Sequence, residues 1–115
     1  MSLGGTHYNW RPDVRQVVDA VLMRWPGVTA NTYADHPWPG WDGRSIDFWG
    51  PGGRGSPIAK GDGRQIRRFL RQREIGPNIR HTIFRHTLWT SWGGRSPWPS
   101  NDHSGELRHL HVTYW

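Results

Sequence analysis

Two histidines close to the C-terminus form the clearest local pattern for chemistry. His109 and His111 are separated by one residue in a segment rich in β-branched and aromatic residues. Successive side chains of a β-strand point to opposite faces, so the two imidazoles are predicted to share one face. Such a pair can begin a zinc site, although a solvent-facing pair on an edge strand gives the same pattern.

A second pattern lies upstream, where a predicted strand gives way to a loop. Asp35-His36 stands at that point, and Asp47 stands inside the apolar segment Ser45 to Trp49. A carboxylate in apolar surroundings is costly to bury unless it is paired or bound to a metal. Asp47 is therefore expected either to ligate a metal or to pair with an arginine such as Arg44 or Arg54.

Together the two patterns supply two histidines and one carboxylate, with a fourth position open for water. This is the ligand set of catalytic zinc, which lowers the pKa of bound water to roughly 7 and polarises a scissile carbonyl. The chain has 7 histidines and no cysteine. Disulfides, thiolate zinc sites and a cysteine nucleophile are thereby excluded.

The elements that must position these residues follow from hydrophobic periodicity. An apolar stripe through Val14, Val17, Val18 and Val21 predicts a helix, and short β-rich segments bounded by Pro and Gly predict strands. The predicted helices cover 11–25 and 62–75; the predicted strands cover 28–34, 45–49, 80–91 (one strand or a hairpin) and 109–115; a long polar loop covers 92–105. This order predicts an α+β domain with a small antiparallel sheet and two main helices packed against it.

Length and charge limit the function classes. The chain has 115 residues and a formal net charge of +6, which predicts one domain over residues 1–115 and an anionic partner. Nucleic acid and the anionic bacterial wall both fit that charge. The arginines of the second helix are interpreted as a solvated basic face rather than a nucleic-acid surface. No apolar run is long enough for a membrane span.

Three segments carry a resemblance to a known group of enzymes. Thr32 to Pro37, Ser45 to Gly55 and His109 to Thr113 resemble the peptidase domains of actinobacteriophage endolysins, which are similar to the zinc D-alanyl-D-alanine carboxypeptidase and L,D-endopeptidase group. The resemblance runs from about Thr32 to the C-terminus. It implies a Hedgehog/D,D-peptidase-like fold, Zn²⁺ held by His36, Asp47 and His111, and bacterial peptidoglycan as the substrate.

The chain departs from that group in two places. The interval between the histidine and the aspartate is longer, since 37–46 intervenes, and Arg108 stands where many relatives carry an acidic residue. Arginine cannot act as a general base. The base is therefore expected to be His109, which can also stabilise developing negative charge, or Glu106.

Further expectations concern substrate and location. Arg44, Trp92 and His103 are predicted to bind substrate, and 1–9 is predicted to be flexible. The N-terminus, Met1 to Trp10, lacks the apolar core of a signal peptide, so a phage lysis system or a larger fusion is expected to deliver the domain to the wall. A monomer is the expected oligomeric state. The bond cleaved is left open among D-Ala-D-Ala, L-Ala-D-Glu and cross-bridge bonds.

Two other functions compete with a peptidase. Arg108 in the usual acidic position favours a wall-binding module that keeps the fold but cleaves weakly or not at all. The charge and the 9 tryptophans favour a nucleic-acid-binding protein, which would lose affinity steeply with salt. That third reading is ranked last, because the chain shows no nucleic-acid-binding motif.

Overall fold

The computed structural model describes residues 6–7, 10–33, 43–73, 76–98 and 109–115. In chain order its elements are β1 (Thr6–His7), α1 (Pro12–Arg24), β2 (Thr29–Tyr33), β3 (Ser45–Trp49), α2 (Lys60–Arg73), β4 (Ile79–Phe84), β5 (Thr87–Thr90), β6 (Gly94–Pro97) and β7 (Leu110–Tyr114). The prediction of an α+β fold with an antiparallel sheet and two helices is confirmed. The predicted helix bounds differ from the observed ones by two residues or fewer.

Helix α1 follows directly from its sequence. Pro12 occupies the first turn, where its missing N–H removes no helical hydrogen bond, and the Asp13 carboxylate accepts a hydrogen bond from Val14 N at 2.9 Å. The side chains that form the buried face of the helix are Val14, Val17, Val18 and Val21. The helix ends at Arg24, because Pro26 and Gly27 cannot continue it.

The sheet places the C-terminal strand at its centre. Its strand order is β1-β2-β3-β7-β4-β5-β6, and every neighbouring pair is antiparallel. Ile46 and Phe48 of β3 and Leu110 and Val112 of β7 are fully buried in one cluster with the valines of α1. One face of the sheet therefore packs against the helices. Because side chains alternate along a strand, the intervening residues lie on the opposite face.

Two strands lie where the sequence predicted none. The prediction of a long polar loop over 92–105 was wrong for Gly94–Pro97, which pairs with β5 at the edge of the sheet. All four of its side chains are exposed, so no alternation of apolar and polar residues marks it. Thr6–His7, inside the segment predicted to be flexible, pairs with the end of β2. The segment 80–91 forms the hairpin alternative, β4 and β5.

Within the described ranges, neither helix is long and apolar enough to cross a membrane.

Gly63 allows α2 to approach the sheet closely. A Cβ atom built on it would lie 2.7 Å from Cε1 of Phe84, a buried ring that belongs to the core. Gly63→Ala is expected to lower the free energy of unfolding by about 1 to 3 kcal/mol through overpacking, even though alanine favours helix. Gly61→Ala in the same helix is the matched control, because nothing lies within 4 Å of its Cβ position. Chemical denaturation of both variants checks the prediction, which fails if Gly63→Ala matches Gly61→Ala.

Candidate metal centre

The face of the sheet that lies away from the helices carries a row of buried polar side chains. Asn31 of β2, Asp47 of β3 and His111 of β7 occupy directly opposed positions on neighbouring strands. Each is at most 3 % exposed. Polar groups buried to this extent must satisfy one another or a ligand, because their desolvation is otherwise costly.

A chain of hydrogen bonds links β3 and β7 at this row. His111 Nδ1 lies 2.8 Å from Asp47 Oδ1, and His111 Nε2 lies 2.8 Å from Thr113 Oγ1. Thr113 Oγ1 in turn lies 3.0 Å from Ser45 Oγ. A carboxylate only accepts, so Nδ1 of His111 donates to Asp47 and the ring orientation is set by both bonds. The aspartate and the second histidine of the H-x-H pattern are therefore in direct contact, although 64 positions separate them in the chain.

His109 approaches the same carboxylate from the start of β7. Its Nε2 atom lies 3.5 Å from Asp47 Oδ1, and its ring stacks on the Trp49 indole with centroids 4.2 Å apart. Trp49 Nε1 donates to Asn31 Oδ1 at 2.8 Å. The indole is therefore held by β2 and supports the imidazole, which limits the orientations that His109 can adopt.

A bulge in β4 brings a third histidine to this face. The register between β4 and β7 shifts between Ile79 and His81, with Arg80 as the extra residue. Ile79 packs against the core, whereas the His81 ring stacks on His111 with centroids 5.5 Å apart. Bulges redirect side chains in this way, since one added residue reverses the alternation. A guanidinium nitrogen of Arg80 also lies 2.7 Å from Nδ1 of His81.

Asp47 stays ionised in this environment. Burial alone would raise its pKa, but hydrogen bonds with His109 and His111 and the positive charge of those rings outweigh burial and hold the pKa well below its ordinary value. The centre therefore presents a permanent negative charge beside two imidazoles at neutral pH. Its partners are histidines, so the alternative pairing of Asp47 with Arg44 or Arg54 is wrong.

The structure brings together three of the predicted site residues, and among the described residues it shows no hydrogen bond, ion pair or ring contact between these three and two others, Arg44 and Trp92. Asp47, His109 and His111 form the cluster, whereas Trp92 lies in the turn between β5 and β6. Its ring is 63 % exposed and contacts Arg80 and Trp115. Arg44 precedes β3 and is half-buried. Its Nε atom has no hydrogen-bond partner among the described residues.

The other predicted site residues lie outside the described residues. These are the predicted ligand His36, the alternative base Glu106 and the substrate candidate His103. Arg108, whose position motivated the search for another base, lies outside them as well.

Two of the predicted ligands can be tested for their fit to a metal. Zn–N and Zn–O bonds of about 2.1 Å place the ligand atoms of a tetrahedral site roughly 3.3 Å apart. Asp47 Oδ1 and His111 Nδ1 lie 2.8 Å apart. Their types suit zinc, but the Nδ1 proton donated to Asp47 must leave and the two atoms must separate slightly before both can ligate one ion. Within the described ranges, no group of three or more His, Cys, Asp or Glu side chains is arranged to hold a metal ion.

Sequence reasoning missed two members of the cluster. Asn31 lies directly opposite Asp47, and its buried Nδ2 has no hydrogen-bond partner among the described residues. The signal for Asn31 was a polar residue at an alternating position of a β-rich segment. His81 is missed because simple alternation from Ile79 does not anticipate the bulge at Arg80.

Comparisons of the chain with protein-family models, with curated proteins and with solved structures find no match. The likeness to cell-wall peptidases consequently depends on the motifs of the sequence.

Proposed function

We propose that the chain is a zinc-dependent peptidase that hydrolyses a peptide bond of bacterial peptidoglycan, on a fold of the Hedgehog/D,D-peptidase type. The single observation that carries the proposal is the contact of Asp47 with both histidines of the H-x-H pattern. A buried carboxylate that stays ionised beside two imidazoles is a donor set suited to a divalent cation.

The proposed metal ligands are Asp47 and His111, with His36 as the third. When bound, zinc supplies a water molecule of lowered pKa and polarises the carbonyl under attack. The Thr113 hydroxyl, 2.8 Å from His111 Nε2, orients that imidazole. Such supporting hydrogen bonds fix the ring of a metal-binding histidine.

His109 is the proposed general base. Its imidazole takes a proton from the attacking water through Nδ1 and returns it to the departing amine, because Nε2 faces the Asp47 carboxylate, which only accepts. The stacked Trp49 indole holds the ring beside the Asp47 carboxylate. Arg44 is the proposed partner of a substrate carboxylate, because its buried Nε lacks a hydrogen-bond partner among the described residues.

The decisive test is metal content together with cleavage. The purified chain is expected to bind about one zinc ion, measured by elemental mass spectrometry, and to release new amino groups from purified peptidoglycan. His111→Ala is expected to lose the metal and at least about 99 % of the activity, because one of the three zinc ligands is removed. Mass spectrometry of the released peptides identifies the bond.

His86→Asn is the matched control for that variant. His86 is exposed at the turn between β4 and β5 and has a φ of 63°, a conformation that asparagine tolerates well. Metal content and cleavage should stay at the wild-type level in this variant. The proposal is overturned if His111→Ala folds and retains both zinc and activity.

A second function is favoured by one specific observation. The hydrogen bonds that join Asp47, His111, Thr113 and Ser45 are complete without a metal, as expected of a wall-binding module that keeps the fold without cleaving. Sedimentation of the chain with purified walls, without release of amino groups even after zinc is added, would favour this function over the peptidase.

A further inference from the structure

A cavity rich in arginine lies between α2 and the outer strands, on the helix side of the sheet and opposite the face that carries the histidine cluster. Its volume is about 680 Å³, and Phe84, Thr87 and Trp89 form part of its wall. The arginines that line it are Arg64, Arg67, Arg68, Arg71, Arg85 and Arg95. No carboxylate is among the described residues that line it.

The positive charge of this cavity is uncompensated within the part of the chain that the structure describes. None of the six lining arginines forms an ion pair with a described carboxylate. Burial, together with the nearby charges of Arg71 and Arg95, lowers the pKa of Arg67 to about 10. A bound anion would relieve the mutual repulsion of these guanidinium groups.

A second cavity adjoins the first along α2, and the two together are called the trough. The second has a volume of about 630 Å³ and shares Arg67, Arg71, Trp89 and Arg95 with the first. It extends past Gly76–Asn78 toward the start of β4. An elongated space with shared walls fits a linear chain of anionic groups better than a single small ion.

The aromatic wall of the trough does not favour stacked bases. The guanidinium of Arg67 lies 3.6 Å from the centroid of the Trp89 ring and covers that face. Phe84 is 3 % exposed. Proteins that bind single-stranded nucleic acid usually combine a basic groove with open aromatic faces. The trough therefore offers charge and forked N–H donors without a platform for bases.

We propose that this trough binds the phosphates of a linear polyol-phosphate polymer, the class of anionic polymer carried by many bacterial walls. The planar guanidinium fork matches phosphate oxygens in bidentate pairs, and a line of such groups matches repeating phosphodiesters. The choice of a wall polymer over other phosphodiesters rests on the proposed function, since a peptidase of the wall must be retained there. Binding at the trough requires neither zinc nor cleavage.

The test compares two double variants that remove the same charge. Binding to poly(glycerol phosphate) is measured by fluorescence polarisation with a chelator present, beside single-stranded DNA with the same number of phosphates. Arg68→Gln with Arg71→Gln, both exposed on α2, is expected to weaken binding about tenfold or more and to flatten its salt dependence. Arg15→Gln with Arg24→Gln, both exposed on α1, is expected to change the affinity less than about threefold, in line with a purely non-specific charge effect. Thermal melts verify that both variants fold.

Three results would overturn the inference. The first is that the two double variants weaken polymer binding equally. The second is that single-stranded DNA binds as tightly as the polyol phosphate, or more tightly, at matched ionic strength. The third is that the polymer does not bind at low salt. The binding measurement is made with a chelator present and does not measure cleavage. Failure of the peptidase proposal would therefore leave the measured affinity for the polymer unchanged. Conversely, His111→Ala is expected to bind the polymer as the wild type does.

Discussion

Replacement of Asp47 with alanine is expected to lower the free energy of unfolding by about 3 to 5 kcal/mol at neutral pH. The carboxylate is 2 % exposed and is the partner of both His109 and His111. Its removal leaves two buried imidazoles without their acceptor, and a polar group left unsatisfied costs more than its hydrogen bond contributed. Because small domains are stable by only about 5 to 15 kcal/mol, the effect is a large fraction of the total. Urea unfolding followed by tryptophan fluorescence measures it.

Two further variants make the Asp47 result interpretable. Asp47→Asn keeps the side-chain shape and one acceptor, so an intermediate loss in the free energy of unfolding is expected. This variant replaces Asp47→Ala in the measurement if the alanine variant does not fold. Asp19→Ala, at an exposed ion pair with Arg15, should cost no more than about 0.5 kcal/mol. A loss for Asp47→Ala as small as that for Asp19→Ala would contradict the role given to the buried carboxylate.

Phe48→Ala is expected to cost about 3 to 5 kcal/mol as well, for a different reason. Phe48 is the next residue along β3, points to the helix side and is fully buried. Truncation of its ring removes apolar contacts and leaves a cavity between the sheet and the helices. The cost is measured by the same urea unfolding as for Asp47. A loss below about 1 kcal/mol would show that this part of the core collapses around the missing ring.

The two adjacent variants should separate in their pH dependence. The folded pKa of Asp47 lies below the unfolded value of about 3.9, so its stabilisation is complete above that value and is lost as the pH falls through the folded pKa. The deficit of Asp47→Ala relative to wild type should therefore shrink below about pH 4. The deficit of Phe48→Ala should stay constant over the same range, because no titrating group is removed.

The sequence predicted most of the fold because its signals were local. The apolar stripe of Val14, Val17, Val18 and Val21 identified α1, and alternation in 109–115 identified the faces of β7. Both patterns depend on the periodicity of one element and need no knowledge of its neighbours. The prediction that His109 and His111 share a face with each other is consistent with the contact of both with Asp47.

The remaining features depend on neighbouring strands. The bulge at Arg80 is visible only as a mismatch between β4 and β7, so the placement of His81 could not be read from its own segment. β6 forms by pairing with the edge of β5. The side chains of β6 are all exposed, so its own sequence carries no hydrophobic signal for a strand. The cavity beside the arginines of α2 is likewise invisible in the sequence of the helix, because its opposite wall is formed by residues of β4, β5 and β6.

The central position of β7 has a consequence for folding kinetics. Among the described strands, β1 to β3 form one group of neighbours and β4 to β6 form another. The two groups are joined only by β7, residues 110–114, which pairs with β3 on one side and β4 on the other. Until that segment arrives, β3 and β4 each expose a row of unpaired backbone groups, which are templates for association with other chains. Folding must therefore wait for a contact of long sequence separation, which slows it. A chain cut before residue 110 is expected to aggregate rather than to persist as a weakened domain.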